Sequence, residues 1–453
     1  MEATARLATF IAETSLDQIP QAAIDTAKRS ALDCIGVALA GSAEPVGKII
    51  TEFVRESGGN PLATVIGGGF RTSPSFAALA NGTMAHALDY DDVSSFGGGH
   101  SSVSLLPAVL ALGEKLKASG KEVLEAYILG FEIGAKLVFE LHGHAEKGWH
   151  HTGTINTMRS AAACAKMLKL DVEKVKVTFG IAASQAGGLN QNIGTMTKPY
   201  HAGMAAKNGI VSSVLAQKGF TANKEIFEGS IGFCNLFSGE GVKVDLDKIG
   251  KDLGNPFHIF SPGVGIKKYP CVASTHPAID ATLHIIRKYD ISPAEVEGVQ
   301  CGVKEIRPKM LLYPEPKTPL EGKFSLPFLI AVAILDRKVS LKQFKEEQIF
   351  HPEIRKLLRK ITISVHPELV EGESSKYSTI IAINLKDGRK YQKKVDKARG
   401  LPDQPLSWDE LLDKYRDCAQ TALSADKIEK SIDLLGNLEE LKDINKLTNI
   451  IIE

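Results

Sequence analysis

Residues 122–141, EVLEAYILGFEIGAKLVFEL, decide the fold class. The stretch contains no Pro, and its apolar residues cover most faces of a 3.6-residue turn. Such a pattern predicts a helix buried within a bundle rather than one lying on its surface. Gly130 and Gly134 fall on one face, where missing side chains let a second helix come close. Working outward, residues 22–41, AAIDTAKRSALDCIGVALAG, place Ile24, Ala27, Ala31, Ile35 and Leu39 at helical spacing, with Gly41 as a stop. TINTMRSAAACAKMLKL (154–170) and GMAAKNGIVSSVLAQKGF (203–220) continue the Ala/Gly-rich style. They account for much of the glycine content, 41 of 453 residues, against a usual share of roughly 7%. The first 240 residues therefore read as helix after helix, tightly packed.

The texture changes near residue 262. VEGVQCGV (296–303) and KITISVHPEL (360–369) read as strands, and STIIAINLKDGRKYQKKV (378–395) as a hairpin turning at Asp387-Gly388. ASTHPAIDATLHIIRKY (273–289) and FSLPFLIAVAILD (324–336) are the helices between them. PLSWDELLDKYRDCAQTAL (405–423) returns to helix, with Ser407 three residues before Glu410 as a capping box. LLGNLEELKDINKLTNIIIE (434–453) reads as an amphipathic helix on the surface or at an interface. The expected fold is mainly α with an α+β part. A large all-helical domain (1–262 and 403–453) is interrupted by a smaller α/β lid domain (263–402).

Composition excludes several classes. Lys+Arg number 54 against 53 Asp+Glu, so the basic stripe of a nucleic-acid binder has no support. The N-terminus lacks the basic-then-apolar pattern of a secretory signal, and no apolar run reaches the ~18 residues of a membrane span. The six cysteines are scattered without a CxxC pair and read as free thiols. A cytoplasmic protein is expected. GSAEPVGKI (41–49) imitates a phosphate-binding loop, but its glycine spacing is wrong and Ile follows the Lys. No GxGxxG, HExxH or GxSxG motif is present.

Four clusters carry candidate chemistry. HALDYDDVSSFGGGHSSVSLLPA (86–108) holds Asp89, Asp91, Asp92 and, after a glycine run, His100. These types suit a divalent ion, but no further partner stands at ligand spacing, and acids capping surface helices are the plainer alternative. HGHAEKGWHHTGT (142–154) holds four histidines. Thr152 reads as the N-cap of the next helix, which sets His150 at a helix N-terminus where the dipole disfavours imidazolium. A neutral imidazole there suits a general base. His142 and His144 read as surface residues. GTMTKPYHAG (194–203) carries Lys198 and His201, and GIKKYPCVASTH (265–276) carries Lys267, Lys268, Tyr269 and His276. A lysine just before a helix opposes the dipole, so Lys198 reads better as an anion binder than as structure. Together the clusters suit a substrate with several carboxylates, bound by cations while His or Lys moves protons.

These segments, in this order, resemble the MmgE/PrpD family. NGTMAHALDYDD with GGGHSSVSLLPA looks like its acid-rich and His-Pro-Ser elements, Ser101 standing where Pro is usual. GWHHTGT, TMTKPYHAG, IKKYPCVASTHPAIDA, KFSLPFLIAVAIL and PLSWDEL match further elements, so the resemblance spans about residues 5–425. It implies a cleft between a helical domain and a lid, a homodimer, and proton transfer beside a carboxylate with no metal or other cofactor. Carried over, His150, Lys267, Asp89 and His100 are the catalytic candidates. Lys198, His201, Lys268, Tyr269 and His276 are the candidate substrate-binding residues. His150 is expected to move a proton, Lys267 to partner it or clamp an oxyanion, and His100 and Lys198 to hold carboxylates. Phe328 and Val93 stand where the family's decarboxylase branch looks to carry hydroxyls. The resemblance therefore points first to a metal-independent dehydratase (hydro-lyase) of a small di- or tricarboxylate such as 2-methylcitrate. Decarboxylation or epimerisation on the same scaffold comes next, and a silent carboxylate-binding protein stands as the alternative from another class. No nucleic-acid or membrane partner is expected.

Overall fold

Small residues set the helix spacing in the larger of two compact units, which comprises Met1–Ile266 and Ser407–Glu453; the other is Lys267–Leu406. The computed structural model describes residues 2–305, 313–372, 375 and 377–453. In chain order the larger unit contains α1 (Gln21–Ser42), β1 (Ala63–Val65), β2 (Phe70–Thr72), α2 (Pro74–His86) and β3 (Val93–Ser94). There follow α3 (Ser102–Leu116), α4 (Gly120–Glu140), α5 (His151–Met167), α6 (Thr197–Gln217) and β4 (Val264–Gly265). It is the large helical domain expected, with two small additions: β1 and β2 form an antiparallel hairpin, and β3 pairs with β4.

α2 packs on α6, α6 on α5, and α5 on α4. A Cβ on Gly203 of α6 would stand 2.2 Å from the Leu79 carbonyl oxygen of α2. That crossing is therefore backbone against backbone, a separation no other residue permits. It brings His86, at the end of α2, within range of the charge of Lys198, in the first turn of α6. The approach expected at Gly130 and Gly134 is made by α5. A Cβ on Gly134 would lie 1.9 Å from Nε of Arg159, so a fully buried arginine fills that space.

The smaller unit holds α7 (His276–Lys288), β5 (Val296–Val303), α8 (Leu326–Asp336), β6 (Ile361–Val365), β7 (Thr379–Leu385) and β8 (Lys390–Val395). Among the described residues its strands run in the order β6-β5-β7-β8, with β5–β6 parallel and the other pairs antiparallel. Helix α7 packs on β7 and β8. The core joins Ile279 and Leu283 of α7, Phe328 and Ile330 of α8, and Val299, Ile381 and Ile383 of the sheet.

From Ser407 the chain rejoins the first unit through α9 (Trp408–Ala419) and α10 (Ala425–Gly436). The predicted capping box forms: Ser407 Oγ accepts from the Glu410 N–H, and Glu410 Oε2 accepts from the Ser407 N–H. The expected C-terminal helix does not form in one piece. After Gly436 the chain makes a single turn at Leu438–Glu440 and a short helix, Asn445–Thr448. The Gly120 and Gly67 N–H groups donate to Leu441 and Ile451 carbonyls, and the Ile444 N–H to Ala118. These long-range bonds, with Leu438, Ile444, Leu447 and Ile451 buried, replace the helical ladder. Cys34, Cys164, Cys234, Cys271, Cys301 and Cys418 are free and buried. Among the described residues no single helix is long and apolar enough to cross a membrane.

Candidate active site

Two loops and two helix ends of the larger unit converge on one buried cluster. The chain leaves α2 at His86 and turns through Asp89, whose φ of +52° is left-handed, a conformation Asp tolerates better than most residues. The next carbonyl, of Tyr90, accepts from Lys414 Nζ of α9 at 2.7 Å. That ammonium also lies 2.6 Å from Asp33 Oδ1 of α1 and 3.8 Å above the Tyr90 ring. So anchored, the loop turns Asp89, Asp91 and Asp92 inward, all buried, rather than setting them as surface caps. Gly97, Gly98 and Gly99 follow with positive φ. A Cβ on Gly98 would meet Val138 at 2.3 Å. Arg159 Nη1 donates to the Gly98 carbonyl and Asn156 Nδ2 to that of His100, which fixes where the His100 ring begins.

Asp91 is the hub. One carboxylate oxygen is 2.9 Å from His86 Nδ1 and the other 2.6 Å from His100 Nδ1. His100 Nε2 is 3.8 Å from Asp89 Oδ1, the same oxygen that accepts from Lys198 Nζ. The His86 and His100 rings are 4.4 Å apart, and His86 stacks on His150 at 6.2 Å. His150 Nδ1 is 3.0 Å from His201 Nδ1, so one of the two nitrogens carries the proton. Four imidazoles, two carboxylates and an ammonium thus form one array.

Burial and charge sort the array. Burial, then Lys198, hold His86 down to about 3 against the pull of Asp91. Burial, then Lys198 and the neighbouring imidazoles, keep His150 well below the usual histidine range. His201 is lowered by the same two leading causes. Burial alone would raise the Asp91 carboxyl, but the charges and hydrogen bonds of His100 and His86 win and hold it well below the usual range. Asp92 goes the other way. Burial raises it to about 7, with Asp91 and Asp33 adding to the rise, although Ser102 donates to it. One neighbour of the pair is thus a permanent anion and the other a carboxyl that is half neutral near pH 7.

Of the candidates named from sequence, Asp89, His100, His150, Lys198 and His201 stand in this cluster. Lys267, Lys268, Tyr269 and His276 belong to the smaller unit. There the Tyr269 hydroxyl donates to Asp280 at 2.6 Å, and its ring meets His276 edge-on. Several local expectations need correction. The helix after GWHH begins at His151 with His150 as its cap, not Thr152, so the His150 ring enters the cluster directly. Lys198 lies within the first turn of α6 rather than just before it, and its Nζ donates to Asp89 Oδ1. His144 is buried, with Nδ1 on the Phe237 carbonyl and Nε2 on Thr154 Oγ1; it ties the histidine loop down, while His142 is exposed. Phe328 is fully buried in the core of the smaller unit.

His86 was not singled out from sequence, and Asp91 was named in its cluster but given no role of its own. The signal was present as H-x2-D-x-D across the end of α2, but only the fold shows that His86 and His100 share one carboxylate. His86, Asp89, Asp91 and His100 also offer ligand-type atoms within 4.8 Å of one another, a spacing that suits a divalent ion. Asp91 is already bonded to both imidazoles and Asp89 to an ammonium, so internal hydrogen bonds account for the arrangement.

The array lies in the larger, mainly helical unit of a two-unit chain. The sequence profile of the MmgE/PrpD N-terminal domain matches residues 5–244, and that of the C-terminal domain residues 269–440. The chain belongs to the MmgE/PrpD family. It is 30% identical to cis-aconitate decarboxylase of Homo sapiens, over 99% of this chain and 94% of that protein. It is 29% identical to the Mus musculus enzyme of that name, over 99% and 93%. The Aspergillus terreus enzyme is 28% identical, over 99% and 95%.

Proposed function

We propose that the protein is a lyase that removes carbon dioxide from a small unsaturated di- or tricarboxylate of the cis-aconitate type. The observation that carries this reading is the buried Lys198–Asp89···His100–Asp91 array in a chain matched end to end by decarboxylases. It displaces dehydration as the first choice. One of the two objections to decarboxylation, Phe328, lies in a hydrophobic core. The other, Val93, remains, and it keeps dehydration of a hydroxy acid such as 2-methylcitrate as the second reading.

The chemistry asks three things of the chain. It must hold several carboxylates, and Lys198 is proposed for this role, as are Lys267 and Lys268 on the strength of the resemblance. It must let one C–C bond break so that carbon dioxide leaves without the electron pair. That pair forms a new C=C bond, and the old C=C pair takes a proton at the far carbon. His100, flanked by Asp91 and Asp89, is the group best placed to carry that proton as an imidazolium. His150, held neutral, would accept or donate a hydrogen bond at a carboxylate, with His201 fixing its tautomer. Tyr269 and His276 would support Lys267. The homodimer is part of the same proposal.

Proton NMR of the EDTA-treated protein in D₂O tests it, with cis-aconitate, 2-methylcitrate, citrate and iminodisuccinate as substrates. A 2-methylene dicarboxylate formed from cis-aconitate, with one deuterium at the carbon that gained the proton, is the expected result. Vinyl signals from a hydroxy acid would move the assignment to a dehydratase, and deuterium uptake without a new product to an epimerase. Silence after EDTA with recovery on adding a divalent ion would make the His–Asp cluster a metal site. Tight binding without turnover would leave a carboxylate-binding protein.

A further inference from the structure

We infer that Asp91 is a positioning residue which, by accepting from Nδ1 of both His86 and His100, fixes the tautomer of both rings and leaves Nε2 of His100 as the proton-exchanging atom. The inference rests on the reading of the cluster as a proton-transfer site and deepens it. Asp91 has no exposed side-chain surface, so it answers only to groups inside the protein. Its two oxygens meet two different imidazoles. A carboxylate only accepts, so each Nδ1 must carry its proton. His100 Nδ1 has a second acceptor 3.1 Å away, the Asp92 carbonyl, which selects the same tautomer. Nε2 is then the only nitrogen of His100 that can exchange a proton, and it faces Asp89 at 3.8 Å.

His86 serves the same end as a neutral donor. Its ring lies 4.4 Å from that of His100, too close for both to be charged at little cost. His86 is fully buried, whereas the His100 side chain keeps 13% of its surface accessible. His86 is therefore the ring that stays neutral, and it contributes one N–H that orients the shared carboxylate. Its own Nε2 is buried and meets no hydrogen-bond partner among the described residues, as expected of a lone pair on a ring tautomerised from the other side. The logic is that of a carboxylate-oriented histidine, here with one carboxylate orienting two rings.

Asp91→Asn separates this role from mere structure. An amide offers one acceptor and one donor, so only one of the two rings can keep its Nδ1–H; the other is forced to the Nε2–H tautomer. Nitrogen-15 imidazole spectra of the full chain read this directly, assigned by loss of signals in His86→Gln and His100→Asn. The wild type should show Nδ1–H on both rings, and Asp91→Asn should flip one. Turnover of the proposed substrate, cis-aconitate, should fall roughly 10²–10⁴-fold in kcat with KM changed less than about threefold. His86→Gln, whose amide can still donate to Asp91, should keep the His100 tautomer and lose less. An Nε2–H tautomer on His100 in the wild type would overturn the inference, and so would Asp91→Asn with both rings unchanged. The wild-type and His86→Gln spectra decide it even where Asp91→Asn does not fold. Because the tautomers are read without substrate, a failed search for turnover would count against the lyase reading alone.

Discussion

Replacing Asp92 with Asn should make the protein more stable at neutral and alkaline pH, the reverse of what losing a buried hydrogen-bonded acid usually brings. Asp92 is fully buried, and its carboxyl is raised from 3.8 to about 7, by burial first, with Asp91 and Asp33 adding to it. A folded-state pKa above the unfolded one means that the folded chain favours the neutral acid. That contribution is fully present below about pH 4 and is lost as pH rises through about 7. The shift of about three units corresponds to roughly 4 kcal/mol at most, at about 1.36 kcal/mol per unit. An amide never ionises, so Asn escapes the cost. It can still accept from the Ser102 N–H, as Oδ1 of Asp92 does at 3.3 Å, while its NH₂ faces the hydroxyl that Ser102 shares with Tyr127 at 2.5 Å. Urea unfolding of both proteins at pH 5 and pH 8 measures the effect. The advantage of Asp92→Asn over the wild type should grow by about 2–4 kcal/mol between those pH values. A difference that stays flat with pH, or that turns against Asn at pH 8, would show that Asp92 is an ordinary ionised carboxylate.

Three further outcomes follow from the same geometry. Lys414→Met takes the ammonium from buried Asp33 and from the Tyr90 carbonyl, and should cost about 3–5 kcal/mol by chemical unfolding; adding Asp33→Asn should recover most of that loss, as a double-mutant cycle would record. Gly203→Ala sets a methyl 2.2 Å from the Leu79 carbonyl oxygen, so α2 and α6 must separate, with about 1–3 kcal/mol or more lost by thermal unfolding and turnover reduced as His86 and Lys198 part. Lys198→Met removes the leading charge that keeps His150 and His201 neutral, so imidazole titration by NMR should show both moving up toward the ordinary histidine range.

The helical character of the larger unit could be read locally because its signals are local. The apolar coverage of 122–141, the capping box at Ser407 and Glu410, and the Asp387-Gly388 turn each depend on residues a few positions apart. The C-terminal stretch misled for the complementary reason. Its apolar spacing suits a helix, but hydrogen bonds to Ala118, Gly120 and Gly67 replace the helical ones, and no local pattern records partners more than 300 residues away.

The residue types of the candidate site were visible in four short segments, because the proposed proton transfer beside a carboxylate needs His, Asp and Lys, and glycine-marked loops display them. Which of these residues meet was decided by packing. Gly203 against Leu79 sets α2 on α6, Lys414 reaches from the far end of the chain to hold the Tyr90 carbonyl, and Arg159 ties the glycine loop from below. Those contacts turn Asp91 from one of three similar acids into the one that two imidazoles share. The chain's chemistry is thus written in its composition of loops, whereas charge state and tautomer arise only once burial removes water and leaves each group with the partners that folding supplies.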